Sequence, residues 1–356
     1  VRTIPKIDLF RAETIKLHIS DEPGGISAGF VCFSCGLWSC RLTSTRTCIT
    51  IETPGGQRLP IRNTASREMK REKYAVFTID VEDFADTECV AKSGQRVRRH
   101  MLDGLDVYIR LLEQYQIRAT MFAVCRTALR ERERVQGYVD RGHRLALHGL
   151  EHVPPCGMDD EHFRRATLAG KQQLEAAFHT QVSGYRAPCF GLDEEKLDIV
   201  RQLGFRYDSS RMDFPAARHV KHLDMTSYRE LRPGIFRKGD FYEFSLSCQR
   251  LFGQNYPISG GGYVRLGSWN FVLPLLRSYL REQDYYVFYL HPFELSRQHQ
   301  PELAGLKLYD QYYLHRGLLT YRRKVEAIIS LLRTLGYRFV TFDELAERME
   351  NKSERK

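Results

Sequence analysis

The feature that most constrains the fold is an alternation, from about residue 73 onward, of short apolar runs with longer stretches of helical periodicity. Short apolar runs are typical of buried strands, and apolar residues three and four apart form one face of a helix. The predicted strands are Tyr74–Ile79, Ala119–Val124, Leu145–Leu147, Gly184–Arg186, Tyr285–Leu290 and Arg338–Thr341. The predicted helices are Leu102–Tyr115, Val135–Gly142, Phe163–Phe178, Glu194–Leu203 and Leu319–Leu335.

Strands that alternate with helices pair in parallel, because a parallel connection needs a crossover. Six or seven such units predict an α/β fold, either a barrel or an open sheet. In both architectures the functional site lies at the carboxyl ends of the strands.

Residues 1–72 differ from the rest, since they lack helical periodicity and contain glycine pairs and a Ser/Thr-rich patch. We interpret them as a poorly ordered N-terminal extension, with Met69 as a natural initiator just before the first strand. A zinc ribbon at Cys32 and Cys35 is disfavoured, because Cys40 and Cys48 have the wrong spacing. The core domain is expected at 73–347, followed by a charged tail at 348–356.

The formal charge of +10 raises the question of nucleic acid, but the Lys and Arg residues are spread along predicted helices. Spread charge is typical of a solvated face, so no nucleic-acid binding is predicted. No run of 18 apolar residues exists, so no transmembrane segment is predicted. Scattered cysteines fit free thiols in a reducing compartment, and a cytoplasmic location is expected.

Residues that can carry chemistry follow four of the predicted strands directly. They are the segments Asp80-Val81-Glu82-Asp83, His148-Gly149-Leu150-Glu151-His152, Arg186-Ala187-Pro188 and His291-Pro292. Because the carboxyl ends of parallel strands meet at one edge of the sheet, we expect these side chains to converge there.

The histidine pair predicts a metal site. Two histidines four residues apart on a turn or short helix lie about 5–6 Å apart, close enough to share an ion. With one carboxylate from the first strand they form a two-histidine, one-carboxylate site that leaves positions open for water and substrate. Zinc suits this donor set best, and other divalent transition metals fit it too.

The acids after the first strand divide into a base and a metal ligand. We expect Asp80 to be the base that takes a proton from water, and either Glu82 or Asp83 to bind the metal. Capping of a helix is the alternative role for Asp83.

The later motifs supply the remaining catalytic groups. The permanent charge of Arg186 is expected to hold the base carboxylate in place. His291 ends the most apolar strand and can protonate a departing amine. Asp208, in Tyr207-Asp208-Ser209-Ser210, is expected to orient His291 and raise its pKa.

These motifs, in this order, resemble the polysaccharide deacetylase (NodB-like) family, also called carbohydrate esterase family 4. The resemblance runs from about Lys73 to about Glu347 and looks closest to the subgroup found beside exosortase and exopolysaccharide gene clusters. The segments that carry it are Asp80–Asp83, His148–His152, Gly184–Pro188, Tyr207–Ser210, Gly260–Tyr263 and Tyr289–Pro292.

The resemblance implies a distorted (β/α) barrel with about seven parallel strands, a divalent metal, and hydrolysis of an N-acetyl group to acetate and a free amine. His148 and His152 match the family's metal ligands, and Asp80 its base. Arg186 matches the residue that positions the base, and His291 the acid. The family pattern has two adjacent Asp, whereas Val81 follows Asp80 here, and this leaves the third metal ligand open.

The substrate implied by the resemblance is an N-acetylated glycan, with association with exopolysaccharide-synthesis machinery. Aromatic faces often hold sugars, and the candidate substrate-binding residues are Tyr185, Pro188, Phe190, Tyr263 and Phe293. For each aromatic residue, packing around the barrel mouth is an equal alternative. The Gly260-Gly261-Gly262 segment lacks the setting of a phosphate loop and is interpreted as a tight turn that brings backbone near substrate.

Two other functions are weighed against deacetylation. One is hydrolysis of a cyclic imide or ureide on the same scaffold, which the Asp-Val-Glu-Asp departure keeps open. The other is a non-catalytic glycan-binding module that retains the barrel but carries no stoichiometric metal.

Overall fold

A computed structural model of the chain describes residues 71–98, 100–214 and 223–353, and the backbone of three earlier strands. The chain divides into two compact units, Val1–Arg71 and Glu72–Lys356. Among the described helices, none is long and apolar enough to cross a membrane.

The first unit contains a three-stranded antiparallel sheet. Its strands, in spatial as well as chain order, are β1 (Lys16–Ser20), β2 (Cys48–Glu52) and β3 (Arg58–Pro60). Residues 1–72 were expected to be poorly ordered, and the structure describes these strands within them. The other residues up to 70, including Cys32, Cys35 and Cys40, lie outside the described residues.

The second unit alternates strands and helices from Lys73 onward. Its strands are β4 (Lys73–Val81), β5 (Thr120–Ala123), β6 (Arg144–Leu147), β7 (Gly184–Tyr185), β8 (Tyr207–Asp208), β9 (Arg229–Arg232), β10 (Ile235–Lys238), β11 (Phe241–Phe244), β12 (Cys248–Leu251), β13 (Gln254–Pro257), β14 (Tyr285–Phe288) and β15 (Tyr337–Phe339). Its helices are α1 (Glu88–Ser93), α2 (Asp103–Gln114), α3 (Cys125–Arg130), α4 (Arg132–Asp140), α5 (Asp160–Phe178), α6 (Glu194–Gln202), α7 (Gly261–Leu266), α8 (Trp269–Glu282), α9 (Leu308–His315), α10 (Leu318–Thr334) and α11 (Phe342–Ser353).

The main sheet has ten strands in the order β14-β4-β5-β6-β7-β8-β11-β10-β9, with β15 also paired to β4. Pairing is parallel from β14 through to β11, and antiparallel where β10 and β9 extend the edge. The sheet curls into a half-barrel covered by helices, so the predicted distorted (β/α) barrel is confirmed. The antiparallel edge and the β12–β13 hairpin were not predicted, because the strongly polar residues between 211 and 257 give no buried-strand signal.

Side chains of β4 alternate between two cores. Ala75, Phe77 and Ile79 pack outward against the helices, whereas Tyr74 and Val76 pack into the concave interior. This two-residue period is the ordinary geometry of a strand with both faces covered. It sends every second residue of β4 toward the interior and so decides which of the acids at its end can reach the site.

An aromatic layer fills the concave interior below the site. The ring of Phe342, from the start of α11, lies 4.9 Å from Phe244, 5.4 Å from Tyr207 and 6.0 Å from Phe122, centroid to centroid. All four rings are fully buried. This packing forms a rigid floor under the polar groups at the carboxyl edge.

Candidate active site

Asp80 and Glu82 lie on the same face at the end of β4. Because successive side chains alternate, Asp80 continues the interior face, Val81 packs in the outer core, and Glu82 returns to the interior. Both acids are buried, at 1% and 5% exposure. The Asp-Val-Glu spacing therefore supplies two carboxylates to one site through the period of the strand.

His148 and His152 lie in the loop after β6, and a tight turn at Gly149 brings their rings together. The φ of Gly149 is +87°, and a Cβ there would lie 2.7 Å from the carbonyl oxygen of Glu151. Only glycine fits such a turn without strain. The imidazole centroids are 5.2 Å apart, as expected from the spacing, although the segment is a loop and not a helix.

Glu82 completes a cluster with the two histidines. Its Oε2 lies 2.8 Å from Nε2 of His152 and 3.7 Å from Nε2 of His148. One ligand atom from each of the three residues lies within 4.8 Å of the others, and this is the single such group of three or more among the described residues. All three side chains are nearly inaccessible to solvent.

The cluster fits a divalent transition metal. Nδ1 of His148 donates to the carbonyl oxygen of Arg186 at 2.8 Å, which leaves Nε2 free to act as a ligand. A backbone acceptor on the second ring nitrogen is the usual support of a metal-binding histidine. Two imidazole nitrogens and one carboxylate form a donor set that suits zinc and its neighbours.

Electrostatics within the cluster favour a bound cation. Burial raises the pKa of Glu82, but the charges of His152 and His291 and hydrogen bonds from His148 and His152 outweigh burial and hold that pKa well below its usual range. Burial lowers the pKa of His152, and the charge of Glu82 outweighs this and raises it. The carboxylate is thus ionised and faces ring nitrogens, as a metal ligand must.

Asp83 is engaged elsewhere, which separates it from the metal cluster. It caps the 3-10 helix Phe84–Asp86 by accepting from the backbone N–H of Ala85 at 2.9 Å. Its other oxygen accepts from Nη2 of Arg130 at 2.6 Å and contacts His100. Of the two acids considered as the third ligand, the structure brings Glu82 to the histidines and gives Asp83 the capping role.

Arg186 is fully buried and holds Asp80. Its Nη1 donates to Oδ1 of Asp80 at 2.7 Å and to the hydroxyl of Thr78 at 2.9 Å. Nε and Nη2 donate to the carbonyl and hydroxyl oxygens of Ser209, each at 3.0 Å. The guanidinium also stacks on Phe122, with its carbon 4.0 Å from the ring centroid. Thr78 and Ser209 were not identified from the sequence, where no motif marks them.

His291 faces Asp80 across the mouth and is held from behind by Glu294. Its Nε2 lies 4.0 Å from Oδ2 of Asp80, and its Nδ1 lies 3.2 Å from Oε2 of Glu294. Glu294 in turn accepts from Nε of the buried Arg265 at 2.7 Å. Burial lowers the pKa of His291, but the charges of Glu82, Glu294 and Asp80 and the Glu294 hydrogen bond raise it to about 9.

The expectation that Asp208 orients His291 is not what the structure shows. Asp208 accepts from the backbone N–H and hydroxyl of Ser210 at 2.8 and 2.9 Å and pairs in register with Glu243 of β11. It lies on β8, behind Arg186, whereas Glu294 fills the role beside His291. The available signal was a glutamate three residues after His291, in the spacing of a capping box.

The expected substrate contacts separate into buried and accessible residues. Tyr185 is 1% exposed and packs between Phe163 and Phe205, with ring centroids 5.9 and 5.8 Å away, so it belongs to the core and is not placed to meet a substrate. Phe293, 3% exposed, stacks on His291 with centroids 5.9 Å apart, so it supports the acid from the side.

Pro188 is buried too, and it packs close to Gly149. Phe190 is half-buried against Tyr289, and Tyr263 is 42% exposed at the surface. Of the five residues, Phe190 and Tyr263 are therefore the ones that a ligand could reach.

The glycine run at 260–262 serves close packing. A Cβ at Gly260 would lie 2.2 Å from the carbonyl oxygen of Tyr289, and one at Gly261 would lie 2.7 Å from the Tyr289 ring. A Cβ at Gly262 would lie 2.6 Å from the ring of Tyr313. Glycines thus allow α7 to begin against the segment that carries His291, and no open turn toward a substrate is formed.

A cavity of about 270 Å³ borders the metal cluster at His152. Its other lining residues are mostly charged: Asp83, Ala85, Asp86, His100, Val124, Arg126, Thr127, Arg130, Glu151 and Val153. The cavity supplies a polar space, next to the candidate metal ligands, in which a hydrophilic substrate can lie.

Two family matches divide the second unit. Residues 103–207 match the family described as polysaccharide deacetylase, and residues 218–347 match a domain of unknown function (DUF3473). The first match spans the histidine pair and Arg186. No curated protein matches the chain.

Solved structures share the fold. A putative polysaccharide deacetylase from Mycobacterium smegmatis is 17% identical with a TM-score of 0.52, covering 80% of this chain and 93% of that one. A probable polysaccharide deacetylase from Pseudomonas aeruginosa PAO1 is 15% identical with a TM-score of 0.48, covering 77% and 89%. Puue allantoinase is 14% identical with a TM-score of 0.47, covering 77% and 89%.

The family match falls on the part of the chain that carries the two histidines, and the half-barrel brings those histidines to a carboxylate at the expected edge. The chain contains a polysaccharide deacetylase domain and belongs to the hydrolases that act on carbon–nitrogen bonds other than peptide bonds.

Proposed function

We propose that the protein removes N-acetyl groups from an N-acetylhexosamine-containing polysaccharide or its precursor. The observation that carries the proposal is the buried group of Glu82, His148 and His152 next to an acid and a histidine that face each other. Asp80 and His291 are 4.0 Å apart and come from different strands, so a base and an acid flank one space.

A divalent ion, with zinc favoured, would be held by Glu82, His148 and His152. When bound, it supplies Lewis acidity that polarises an amide carbonyl and makes water easier to deprotonate. The three residues are buried and pre-positioned by β4 and the Gly149 turn, so ligand binding does not have to order them.

Asp80 takes the proton of the attacking water in this proposal. Its Oδ1 is bound by Arg186, and its Oδ2 is directed at the space shared with His291. The fixed charge of Arg186 keeps the carboxylate ionised and in one rotamer, as a general base requires. Backbone N–H groups of the Arg186–Cys189 loop are the candidates for stabilising the oxyanion.

His291 protonates the departing amine. Its Nε2 faces the same space as Asp80, while its Nδ1 is occupied by Glu294. This arrangement presents one ring nitrogen to the leaving group and fixes the ring orientation through the other. A positioned acid of this kind contributes about 10²- to 10⁴-fold to rate.

The deciding experiment compares metal content and acetate release in three proteins. Wild type, the double variant His148→Ala/His152→Ala, and the control His162→Ala, a histidine exposed on α5, would be supplied with zinc and assayed on N-acetylated chitooligosaccharides. We expect about one metal per chain and acetate release in wild type and control, and neither in the double variant.

The same proteins separate the two alternatives. Turnover of a small cyclic ureide without acetate release would favour the ureide hydrolase. Wild-type protein without bound metal would favour the non-catalytic glycan-binding module. Unchanged metal and turnover in the double variant would show that the proposed site is wrong.

We further propose that the protein acts in the cytoplasm in association with exopolysaccharide-synthesis machinery. Support for the compartment comes from the described cysteines, all five of which are free thiols. Support for the association is the motif resemblance alone. Subcellular fractionation and co-purification with glycan-synthesis components would test both statements, and a secreted protein would contradict the first.

A further inference from the structure

Four large hydrophobic side chains are exposed on α9 and the first turn of α10. Their exposures are 85% for Leu308, 70% for Tyr309, 48% for Tyr312 and 99% for Leu319. We call these four residues the α9 surface. Side chains of this size are rarely left in water as a group, so the α9 surface is a candidate contact region.

The α9 surface lies at the edge of the sheet that carries the active site. Helix α10 leads into β15, whose Tyr337 pairs with Lys73 at the amino end of β4, so α10 begins near the opposite, carboxyl edge. Tyr313 of α9 also accepts a hydrogen bond from Arg265, which binds Glu294 beside His291. The exposed side chains and the site mouth therefore occupy the same end of the molecule.

Charge around the α9 surface is strongly positive. Residues 305–325 contain five cationic residues and one acid, Asp310. Asp310 is buried and lies 3.3 Å from Nζ of Lys92, so it is neutralised within the fold. Lys307, Arg316 and Arg323 are exposed and have no ion-pair partner among the residues that the structure describes.

We propose that the α9 surface docks on an anionic lipid membrane. Exposed leucines beside tyrosines and cations are the composition of a peripheral membrane contact: leucines enter the acyl boundary, tyrosines lie at headgroup level, and cations bind anionic headgroups. A sugar would stack on the tyrosine rings but would gain little from two separated leucines. The excess of exposed cations gives the surface its complementarity to an anionic layer.

The test is co-sedimentation of the full chain with vesicles of phosphatidylcholine alone or mixed with phosphatidylglycerol. The variants are Leu308→Ser/Leu319→Ser and Lys307→Gln/Arg323→Gln. Phe252→Ser is the matched control, because Phe252 is 92% exposed in the turn between β12 and β13. Acetate release from a soluble substrate, measured in parallel, keeps this proposal separate from the enzymatic one.

We expect wild type and Phe252→Ser to bind the mixed vesicles and to bind phosphatidylcholine vesicles weakly. The leucine variant should bind mixed vesicles at least about tenfold more weakly. The cation variant should lose the preference for phosphatidylglycerol, and both variants should keep their activity on soluble substrate.

Three results would overturn the membrane proposal. They are no sedimentation of wild type, equal binding of the leucine variant, and a wild-type dimer in solution that the leucine variant converts to monomer. The last result would assign the α9 surface to contact between two copies of the chain.

Discussion

Glu294 holds His291 at two points: its Oε2 accepts from the backbone N–H of His291 at 3.0 Å and lies 3.2 Å from Nδ1 of the ring. The other carboxylate oxygen accepts from Nε of Arg265, and both residues of that ion pair are fully buried. The ring is therefore oriented by a carboxylate whose own position is set by an arginine.

Replacement of Glu294 by Gln should lower kcat by about 10- to 100-fold with little change in KM, because a neutral side chain orients the ring but no longer stabilises its protonated form. The measurement is steady-state acetate release together with metal content, which should stay at the wild-type level. Glu302→Gln, at an exposed position in the following loop, is the control. Equal kcat for wild type and Glu294→Gln would remove Glu294 from the mechanism.

Glu82 and Asp83 should respond differently to neutralisation. Glu82→Gln removes the carboxylate that lies 2.8 Å from His152, and we expect metal affinity to fall by more than the about 10- to 100-fold that loss of a supporting residue costs. Asp83→Asn changes a cap bound to Arg130 and should leave metal affinity within about tenfold of wild type. Competition with a zinc chelator measures both. Metal loss in Asp83→Asn alone would exchange the two assignments.

The buried pair of Arg186 and Asp80 gives a prediction about stability. Arg186→Met leaves the Asp80 carboxylate buried without its cation, and breaking such a pair costs about 3–5 kcal/mol. Adding Asp80→Asn removes the unpaired charge and should restore part of that loss. Urea unfolding of the two single variants and the double variant measures the coupling. Strictly additive effects would indicate that the ion pair contributes nothing to folding.

Much of the fold could be predicted because it depends on local patterns. The apolar run at Tyr74–Ile79 and the helical spacing at Phe163–Phe178 both mark elements that the structure contains, with shifts of a few residues at the ends. By contrast, β11 was missed, since Glu243 interrupts its apolar residues and its pairing with β8 is set by packing far along the chain.

The site was predicted as a set of residue types and less well as a set of contacts. Strand ends and the His-x-x-x-His spacing located the metal cluster, because those are properties of neighbours in sequence. Which acid joins the histidines depends on the two-residue period of β4, and the partner of His291 depends on a 3-10 helix that begins at Pro292. Asp208 was assigned to His291 because its distance from β14 in the sheet could not be known.

Glu243 should make stability fall as pH rises. Burial, and then the charge of Asp208, raise the pKa of Glu243 well above its usual value. Above about pH 4.3 the unfolded chain releases this proton while the folded chain keeps it, so the free energy of unfolding falls by up to about 1.4 kcal/mol per pH unit until the folded pKa is reached.

Glu243→Gln removes this proton, so the variant should show a flatter pH dependence and a higher free energy of unfolding than wild type near pH 7. Urea unfolding between pH 5 and about pH 8 measures the difference. Glu161→Gln, on the exposed face of α5, should keep the wild-type slope. Parallel curves for wild type and Glu243→Gln would show that Glu243 is ionised in the folded protein.

Two helical glycines should respond in opposite ways to alanine. A Cβ at Gly104 of α2 would lie 1.7 Å from the carbonyl oxygen of Pro292, whereas one at Gly137 of α4 would meet only Nη1 of Arg141, at 3.5 Å. Alanine normally stabilises a helix by about 0.5–1 kcal/mol relative to glycine, so Gly137→Ala should be stabilising. Gly104→Ala should instead destabilise by about 1–3 kcal/mol, because backbone has to move. Since Pro292 adjoins His291, Gly104→Ala should also slow acetate release, and thermal unfolding with a parallel assay would reveal both effects; stabilisation by both alanines would mean that α2 does not press on the segment that holds the acid.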